Sequence, residues 1–359
     1  MRHRLVAPLV GMTCLAALPA PAFAWGDDGH KIVGLIAEHF LDPAVLTQVN
    51  TILAGDSTGL VSPIDIPDEA TWADKYRDSD RSTTKVRYDQ THNWHFVDIE
   101  LSNPDLNAAC FQHPGVPTGS PASVAAANDC VVDKIDEFSA ELANPSTSAD
   151  ERRLALQLLL HFVGDLHQPL HSSDDHDQGG NSKKVHGKGT SANLHSSWDT
   201  PFVTALGGND SAIADALIAQ ITNAQQTQWR QGTTANWAQE SFQLAKTDAY
   251  GKLPTPNSDG SYTLDSSYVD NAHQIVKQQL SKAGVRLAFL LNRALVSKPH
   301  LLTLARGTQL LGTPDFKNDT ASPGPWVATA GVINCDASEP PHGGQWVAWF
   351  DGYGQTTTM

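Results

Sequence analysis

The chain has 359 residues, 40% of them hydrophobic, and a formal net charge of −15 at pH 7. A protein that grips many phosphates through lysine and arginine usually shows a basic stripe, and this sequence has none. The composition therefore argues against a protein that binds nucleic acid mainly through many basic side chains. Any polyanionic ligand has to be held by a local positive site, for which bound metal cations are the candidates.

The first 24 residues have the pattern of an export signal. Arg2 and Arg4 form a basic start, an apolar run follows from Leu5 to Leu18, and the segment ends in Ala-Phe-Ala. The apolar run is too short to span a bilayer. We therefore predict cleavage after Ala24 and a secreted or periplasmic protein without a membrane anchor. Loss of the two arginines changes the net charge from −15 to −17.

Export places the remaining cysteines in an oxidising compartment. Cys110 and Cys130 lie in one segment rich in Pro, Gly, Ala and Ser, which a bridge would restrain, so we predict a disulfide between them. Cys335 is the odd cysteine, and the sequence alone does not assign it.

The mature start leads into a helix. Residues from Asp28 to Leu41 carry apolar side chains at helical spacing, and Pro43 ends the pattern. His30 lies in the first turn of this helix, beside the new terminus at Trp25. A free amine and an imidazole this close together could hold a metal.

Asp74 belongs to a short helical stretch that starts near Pro67, in which Trp72 and Tyr76 are interpreted as packing residues. His95 then begins an apolar, extended run, His-Phe-Val-Asp-Ile.

The strongest metal-ligand pattern lies between Glu151 and Gln168, which we predict to be a helix ended by Pro169. His161 and Asp165 are four residues apart and therefore project from one face of that helix. His171 follows closely enough to join them.

His195 and Asp199 repeat the same spacing further along the chain. Either pair alone is better explained by a buried histidine that is hydrogen-bonded to a carboxylate. Two pairs with a flanking histidine favour a metal site.

The rest of the chain is interpreted as scaffold. Helical periodicity covers Ala212 to Ile221, Trp237 to Lys252 and Tyr268 to Val296. We expect a mainly α, single domain over residues 25–296, with a Gly/Pro/Thr-rich extension over 297–359. Within the extension, Trp326 to Cys335 and Trp346 to Phe350 are predicted to form short strands.

Six motifs carry a resemblance to a known family. They are WGDDGH at the mature start, TWADKYR, HFVDIE, HFVGDLHQPLH, GGN and NLHSSWDT, and they span most of the mature chain. In type and order they resemble the secreted trinuclear-zinc nucleases, the single-strand nucleases and 3′-nucleotidases of fungi, plants and bacteria.

The resemblance implies an α-helical fold of the zinc nuclease and phospholipase C type and three zinc sites. It assigns Asp74, His95, His161 and Asp165 to the first ion, and His171, His195 and Asp199 to the second. It assigns the amine and carbonyl oxygen of Trp25, with His30 and Asp165, to the third. Asp165 would then bridge two ions and act catalytically.

The resemblance also implies roles near the substrate. Phe96 would stack on a nucleobase, Asp98 would contact the base or orient the attacking water, and Arg77 would face the phosphate. Each has an alternative of comparable weight: Phe96 in the core, Asp98 in a hydrogen-bond network and Arg77 in a surface ion pair. Asn181 of the GGN motif would approach the phosphate, although turn chemistry alone would explain that motif. His176 and His186, in the polar loop around it, are interpreted as exposed residues.

The activity implied is hydrolysis of single-stranded DNA and RNA and of 3′-nucleotides to 5′-phosphate products, by a hydroxide generated between zinc ions and by a chain expected to be a monomer. A zinc-dependent phospholipase C is the first alternative, although that family typically has glutamate where this chain has Asp199. An exported, non-catalytic zinc-binding protein is the second, disfavoured because structural zinc sites are fully coordinated by protein.

Overall fold

The structure, a computed structural model, describes residues 25–110, 115–117 and 119–296, with the strand backbone of 333–334 and 347–348. Helices make up most of these residues. The α-helices are α1 Asp27–Phe40, α2 Pro43–Leu53, α3 Ile66–Glu69, α4 Trp72–Asp78, α5 Val86–Thr91, α6 Leu106–Ala109, α7 Val131–Ala143, α8 Ala149–Leu166, α9 Leu194–Asp199, α10 Pro201–Thr204, α11 Asp210–Ile218, α12 Asn223–Trp229, α13 Thr234–Leu244 and α14 Ser266–Leu295. Short 3₁₀ turns occur at His92–His95, Ala122–Val124 and Pro169–Ser172. The prediction of a mainly α fold is confirmed.

Helix α8 is the central element. Ser148 caps its N-terminus by accepting a hydrogen bond from the amide of Glu151. From Ala155 to Leu166 every residue is buried, because this stretch is apolar on nearly all sides and is covered by α2, α7 and α14. A helix buried on all sides holds its polar side chains in fixed positions, and His161 and Asp165 lie in this part of it.

Helix α1 packs along α14 at unusually short range. A Cβ atom at Gly284 would lie 2.4 Å from Cγ2 of Ile36, so only glycine fits at this crossing without movement of α1. The contact fixes the position of α1, and with it the position of His30 in the first turn of that helix.

Most predicted helices lie where the sequence places them. The stretch that starts near Pro67 is two short helices, α3 and α4, and His95, predicted to begin an extended run, is the last residue of a 3₁₀ turn. The pattern from Trp237 to Lys252 was expected to be one α-helix, but α13 ends at Leu244 and the chain continues through a π-helical turn, Ala245–Ala249. Periodicity does not separate an α-turn from a π-turn, because one additional residue shifts the apolar face only slightly.

Strands are few among the described residues. Strand β1, Val185–His186, pairs in parallel with β2, Tyr262–Thr263. The chain divides into two compact units at Val296 and Ser297. In the second unit β3, Ile333–Asn334, pairs antiparallel with β4, Val347–Ala348. These pieces fall within the two segments predicted to be strands; the remainder of those segments and Cys335 lie outside the described residues. Among the described helices, none is long and apolar enough to cross a membrane.

Candidate metal centre

The side chains predicted as metal ligands converge at the C-terminal end of α8. His161 and Asp165 come from α8 itself, and His171 from the 3₁₀ turn that follows it. The other predicted ligands come from four elements elsewhere in the sequence. They are His30 from α1, Asp74 from α4, His95 from the 3₁₀ turn after α5, and His195 with Asp199 from α9. All are buried. The structure therefore brings together residues that are up to 169 positions apart in the sequence.

Asp165 lies at the middle of the larger group. Its Oδ1 is 3.4 Å from Nε2 of His30, and its Oδ2 is 3.0 Å from Nδ1 of His95 and 3.3 Å from Nε2 of His161. Oδ1 of Asp74 is 3.5 Å from the same nitrogens of His95 and His161. In a tetrahedral zinc site, bonds of about 2.0 Å separate neighbouring ligand atoms by about 3.3 Å. These spacings suit metal ligands, and both oxygens of Asp165 are used.

His171, His195 and Asp199 form a separate group. Nε2 of His171 is 3.1 Å from Nε2 of His195, which is 3.6 Å from Oδ2 of Asp199. Nδ1 of His171 is 2.8 Å from the carbonyl oxygen of His95, and Nδ1 of His195 is 2.7 Å from that of Gly179. If both Nδ1 atoms donate, the two Nε2 lone pairs face each other. Two lone pairs at this distance repel each other, and a cation between them removes the repulsion.

Several buried atoms of the cluster have no hydrogen-bond partner among the described residues. They include both ring nitrogens of His30, Nε2 of His95 and His161, Oδ1 of Asp165 and Oδ2 of Asp199. Buried polar atoms are nearly always hydrogen-bonded, so each such atom requires an explanation. Imidazole nitrogens and carboxylate oxygens are ligands that zinc accepts, and the residues present therefore fit the predicted ions.

Burial sets the protonation of the histidines. It lowers the pKa of His95 to about 4 and that of His195 to about 3, and it lowers the pKa of His30 and His171 as well. A neutral imidazole keeps the lone pair that a metal requires. His161 differs: burial acts in the same direction, but the nearby carboxylates of Asp165 and Asp74 raise its pKa.

The pKa values of the carboxylates Asp165 and Asp199 are shifted in opposite directions. Burial alone would raise the pKa of Asp165, but His161, His30 and His95 hold it well below its usual range. No histidine lowers the pKa of Asp199 in this way, so burial, with repulsion from Asp74 and Asp165, raises it well above the usual value despite a hydrogen bond from Gln168. Without bound metal the smaller group is therefore the one where a carboxylate is hardest to ionise.

Arg77 lies beside the centre. Its environment differs from both sequence interpretations, which placed it at the substrate phosphate or in a surface ion pair. Its Nη1 is 2.6 Å from Oδ1 of Asp74, while Nε and Nη2 donate to the two carboxylate oxygens of Asp78 at 3.0 and 2.9 Å. The expected alternative was a surface ion pair; the ion pair is present, but Arg77 is only 6% exposed. A buried guanidinium held from two sides is a fixed positive charge next to the cluster.

Trp25 is fully buried at the base of the cluster. Its indole N–H donates a 2.8 Å hydrogen bond to the carbonyl oxygen of Gly164, one residue before Asp165. A Cβ at Gly164 would lie 2.8 Å from Nδ1 of His30, so glycine is needed there for the imidazole to approach α8. The side chain of Trp25 thus anchors the start of the family-like region against the helix that carries Asp165.

The predicted substrate residues lie in varied settings. Phe96 and Asp98 are half-buried, and Asp98 lines a cavity of about 350 Å³ with Glu100, Asn103, Asp105, Ala108 and Ala109. Burial, with repulsion from Asp174 and Asp177, raises the pKa of Asp98 to about 7.

Three further residues with sequence predictions, Asn181, His176 and His186, lie in the loop around the GGN motif. Asn181 donates from its side chain to the carbonyl oxygen of Gln178 at 2.9 Å, as the turn interpretation expects. His176 and His186 are exposed, as predicted.

Sequence reasoning missed the groups that hold the ligands in place. Gln168 donates from Nε2 to Oδ1 of Asp199 at 2.6 Å, and the carbonyl oxygen of Ala70 lies 2.7 Å from Nδ1 of His161. Gln168 lies within the HFVGDLHQPLH motif, which is the one signal that could have drawn attention to it. A backbone carbonyl leaves no signal in the sequence.

The predicted disulfide between Cys110 and Cys130 is present, with a Cα–Cα distance of 4.9 Å. Asp133 lies close enough to the two sulfurs to complete a fourth potential metal group. Disulfide sulfurs are not thiolate ligands, so only the three groups of histidines and carboxylates among the described residues remain as metal candidates.

Comparison with known proteins decides the family. The model of the S1/P1 nuclease family matches residues 25–296. The chain belongs to the S1/P1 nuclease family. It is therefore a nuclease, and the matched region contains every residue of the candidate centre.

Named relatives agree with that assignment. The chain is 30% identical to nuclease PA3 of a Penicillium species over 288 residues, which cover 75% of this chain and 97% of the relative. It is 29% identical to nuclease P1 of Penicillium citrinum, with the same coverage. It is also 29% identical to endonuclease 2 of Arabidopsis thaliana, over 75% of this chain and 90% of the relative.

Proposed function

We propose that this S1/P1 nuclease is a zinc-dependent phosphodiesterase that hydrolyses single-stranded DNA and RNA to 5′-phosphate products and also removes phosphate from 3′-nucleotides. The observation that carries the proposal is the set of buried, unpartnered nitrogen and oxygen atoms around Asp165, together with the facing Nε2 atoms of His171 and His195 and the unpartnered Oδ2 of Asp199. They match the donor set of zinc.

Three ions are proposed, with the assignment that the sequence motifs imply. Asp74, His95, His161 and Asp165 would hold the first, and His171, His195 and Asp199 the second. The third would be held by His30, Asp165 and the terminal amine and carbonyl oxygen of Trp25. The contacts of both Asp165 oxygens with different histidines support its proposed bridging role.

Bound zinc would lower the pKa of a water molecule and offset the negative charge that develops on the phosphoryl and leaving oxygens. The protein's own groups act around that chemistry. The hydrogen bonds of His161 and His171 to backbone carbonyls fix their tautomers, so their Nε2 atoms are available as ligands. Arg77 adds a fixed positive charge next to the cluster, where it pairs with both Asp74 and Asp78.

Substrate contacts are proposed for Phe96, Asp98 and Asn181. Phe96 is the next residue after His95, and Asp98 lies two positions further on. The cavity beside Asp98 is large enough for a nucleobase. A base can enter such a cavity only when it is unstacked, and unstacking a duplex is unfavourable by a few kcal/mol. This difference favours single strands.

The fit of the leader pattern to an export signal supports a secreted or periplasmic protein that begins at Trp25, and we expect it to be a monomer. The net charge further predicts a shallow salt dependence, because few phosphates can be neutralised by lysine or arginine.

The proposal is tested by assaying single-stranded DNA, 3′-AMP and phosphatidylcholine side by side, with and without a chelator. We expect the first two to be hydrolysed, the third to be unchanged, and the activity to disappear with the chelator and return with zinc. Hydrolysis of phosphatidylcholine alone would favour the phospholipase alternative. Zinc binding without any hydrolysis would favour the non-catalytic one.

A further inference from the structure

Two stacks of planar side chains lie between α4 and α5, next to the metal centre. In one, the guanidinium of Arg87 lies over the ring of Tyr76 at 4.7 Å from its centre, and Tyr76 stacks on Trp72 at 4.6 Å. In the other, the guanidinium of Arg81 lies 4.8 Å over Tyr88, which stacks on His92 at 5.1 Å with the rings nearly parallel. We call Tyr76, Arg81, Arg87, Tyr88 and His92 the stacked patch.

The stacked patch is accessible to solvent. The Arg81 side chain is 39% exposed and Arg87 is exposed, while the three rings are half-buried. Val86, which precedes Arg87, is 69% exposed. Nη1 of Arg87 donates to Oγ of Ser79 at 2.9 Å, so this guanidinium is held in place before any ligand arrives. The outer end of each stack is thus a planar cation.

One stack begins beside the cluster. His92 and His95 are the first and last residues of the 3₁₀ turn, and side chains three apart in such a turn eclipse each other. From His95 to Tyr88 the chain runs through this turn and α5, about 12 Å of helix. The patch therefore extends from a proposed metal ligand to the protein surface, at a length that suits a few nucleotides.

The local charge differs from that of the whole protein. Residues 71–95 contain five Lys or Arg and four Asp side chains, in a chain with a net charge of −15. Two of the four carboxylates are occupied in holding the segment together. Asp78 pairs with Arg77 and, at 3.8 Å, with Arg81. Asp80 accepts hydrogen bonds from the amides of Arg87 and Tyr88. A polyanion meets less repulsion here than the net charge suggests.

We propose that the stacked patch binds the nucleotides of a single strand that flank the phosphate at the metal centre. The proposal rests on the proposed function and adds to it a reason for acting on strands longer than a dinucleotide. Bases stack on guanidinium planes as well as on aromatic rings, and the N–H groups of Arg81 and Arg87 can bind phosphate oxygens. Stacking of this kind requires unpaired bases, so the patch also favours single strands over duplex.

The test separates the planar face of each arginine from its charge. Arg81→Lys/Arg87→Lys keeps both charges and removes both planes, whereas Arg81→Gln/Arg87→Gln removes the charges too. The substrates are a thymidine dinucleotide and an oligothymidylate of about ten nucleotides. We expect the lysine variant to raise KM for the oligomer about tenfold, within the range for loss of a stacked base, with kcat and both dinucleotide constants unchanged. The glutamine variant should also show a shallower dependence of KM on salt than the lysine variant.

Arg293→Lys is the matched control, because Arg293 is exposed and lies 5.3 Å over Phe289, on α14. It should leave every constant unchanged. The single variant Arg87→Lys is measured as well, with a smaller change in KM expected, so that instability of a double variant does not decide the result.

Three results would count against the inference. An unchanged KM for the oligomer in folded lysine variants overturns it. So does an equal loss on the dinucleotide, which would mean that the stacks only support α4 and α5. If the parent enzyme cleaves neither substrate, the proposed function fails, and this inference fails with it.

Discussion

Gln168 donates a 2.6 Å hydrogen bond from Nε2 to Oδ1 of Asp199, and both side chains are buried. The bond leaves Oδ2 of Asp199 without a partner, 3.6 Å from Nε2 of His195. It also opposes the effect of burial, which raises the pKa of Asp199. Gln168 therefore both orients this carboxylate and favours its ionised, metal-binding form.

Gln168→Glu should reduce metal binding by the group of His171, His195 and Asp199. Two carboxyl groups would then face each other in a buried site, and Asp199 would be harder to ionise. Partners of metal ligands typically contribute about 10- to 100-fold in metal affinity or activity, and we expect a loss in kcat/KM of that size. Zinc content per chain and kcat/KM are the measurements. Gln157→Glu is the control, since Gln157 donates to Glu69 in a similar buried pair; equal effects of the two variants would argue against a specific role for Gln168.

Asp165→Ala should have a larger effect than loss of any one histidine. Its carboxylate lies within 3.8 Å of His30, His95, His161 and His171, so its removal disrupts the whole larger group. We expect a loss of activity of more than about 100-fold, together with a lower Tm, because metal binding to the folded state is linked to its stability. His161→Ala should show the same two effects with smaller loss of zinc.

Asp150→Ala is the control for this prediction. Asp150 is on the same helix, but its side chain is 87% exposed and pairs only with Arg153 among the contacts of described residues. It should change Tm slightly and leave zinc content and turnover as they are. Three zinc ions and normal turnover in Asp165→Ala would contradict the bridging role.

Asp98 should produce an inflection near pH 7 in substrate affinity. Burial raises its pKa to about 7, so the carboxyl is protonated and donates below that pH, and it is ionised and only accepts above it. For a base that presents an N–H group, KM should fall as the pH rises through 7. In Asp98→Asn this inflection in KM should vanish while kcat keeps its own pH dependence. A parent profile without the inflection would remove Asp98 from base recognition.

A residue added before Trp25 should weaken the third proposed zinc site. A free α-amino group has a pKa of about 7.7 to 8.0 and can bind zinc after losing its proton, whereas a peptide nitrogen is a poor ligand. Two preparations are compared, one that begins at Trp25 and one that begins Met-Trp, each assayed for zinc content and turnover. The second should contain less zinc and turn over slowly. Equal values would exclude the terminal amine from the mechanism.

Four of the proposed ligands could be identified from sequence because their spacing is local. His161 with Asp165, and His195 with Asp199, are four apart, and each pair lies within a helix, α8 or α9. The spacing predicts a shared helical face whatever the rest of the fold does. That the two pairs belong to one cluster could not be predicted from spacing, and this expectation came from the family motifs.

The supporting contacts could not be predicted in this way. Gln168 and Asp199 are 31 residues apart, and their pairing depends on how α9 packs against the turn after α8. Arg77 was expected either at the phosphate or at the surface, and its burial between Asp74 and Asp78 depends on the packing of α4. Contacts between distant segments are set by tertiary structure, on which local periodicity has no bearing.

The carbonyl oxygens of Ala70, His95 and Gly179 accept the Nδ1 contacts of three cluster histidines. A side-chain partner can be exchanged by a single substitution, but a main-chain oxygen is present whatever residue occupies the position. The tautomers of these imidazoles therefore do not depend on the chemistry of the side chain at the partner position, although a substitution can still act through the backbone: Gly179 has a φ of 60°, and a Cβ there would lie 2.6 Å from the carbonyl oxygen of Leu170. They respond instead to backbone displacement: a shift of the segments at Ala70 or Gly179 would misalign ligands that are chemically unchanged. Variants that loosen those segments should therefore contain less zinc per chain under conditions in which they keep their fold.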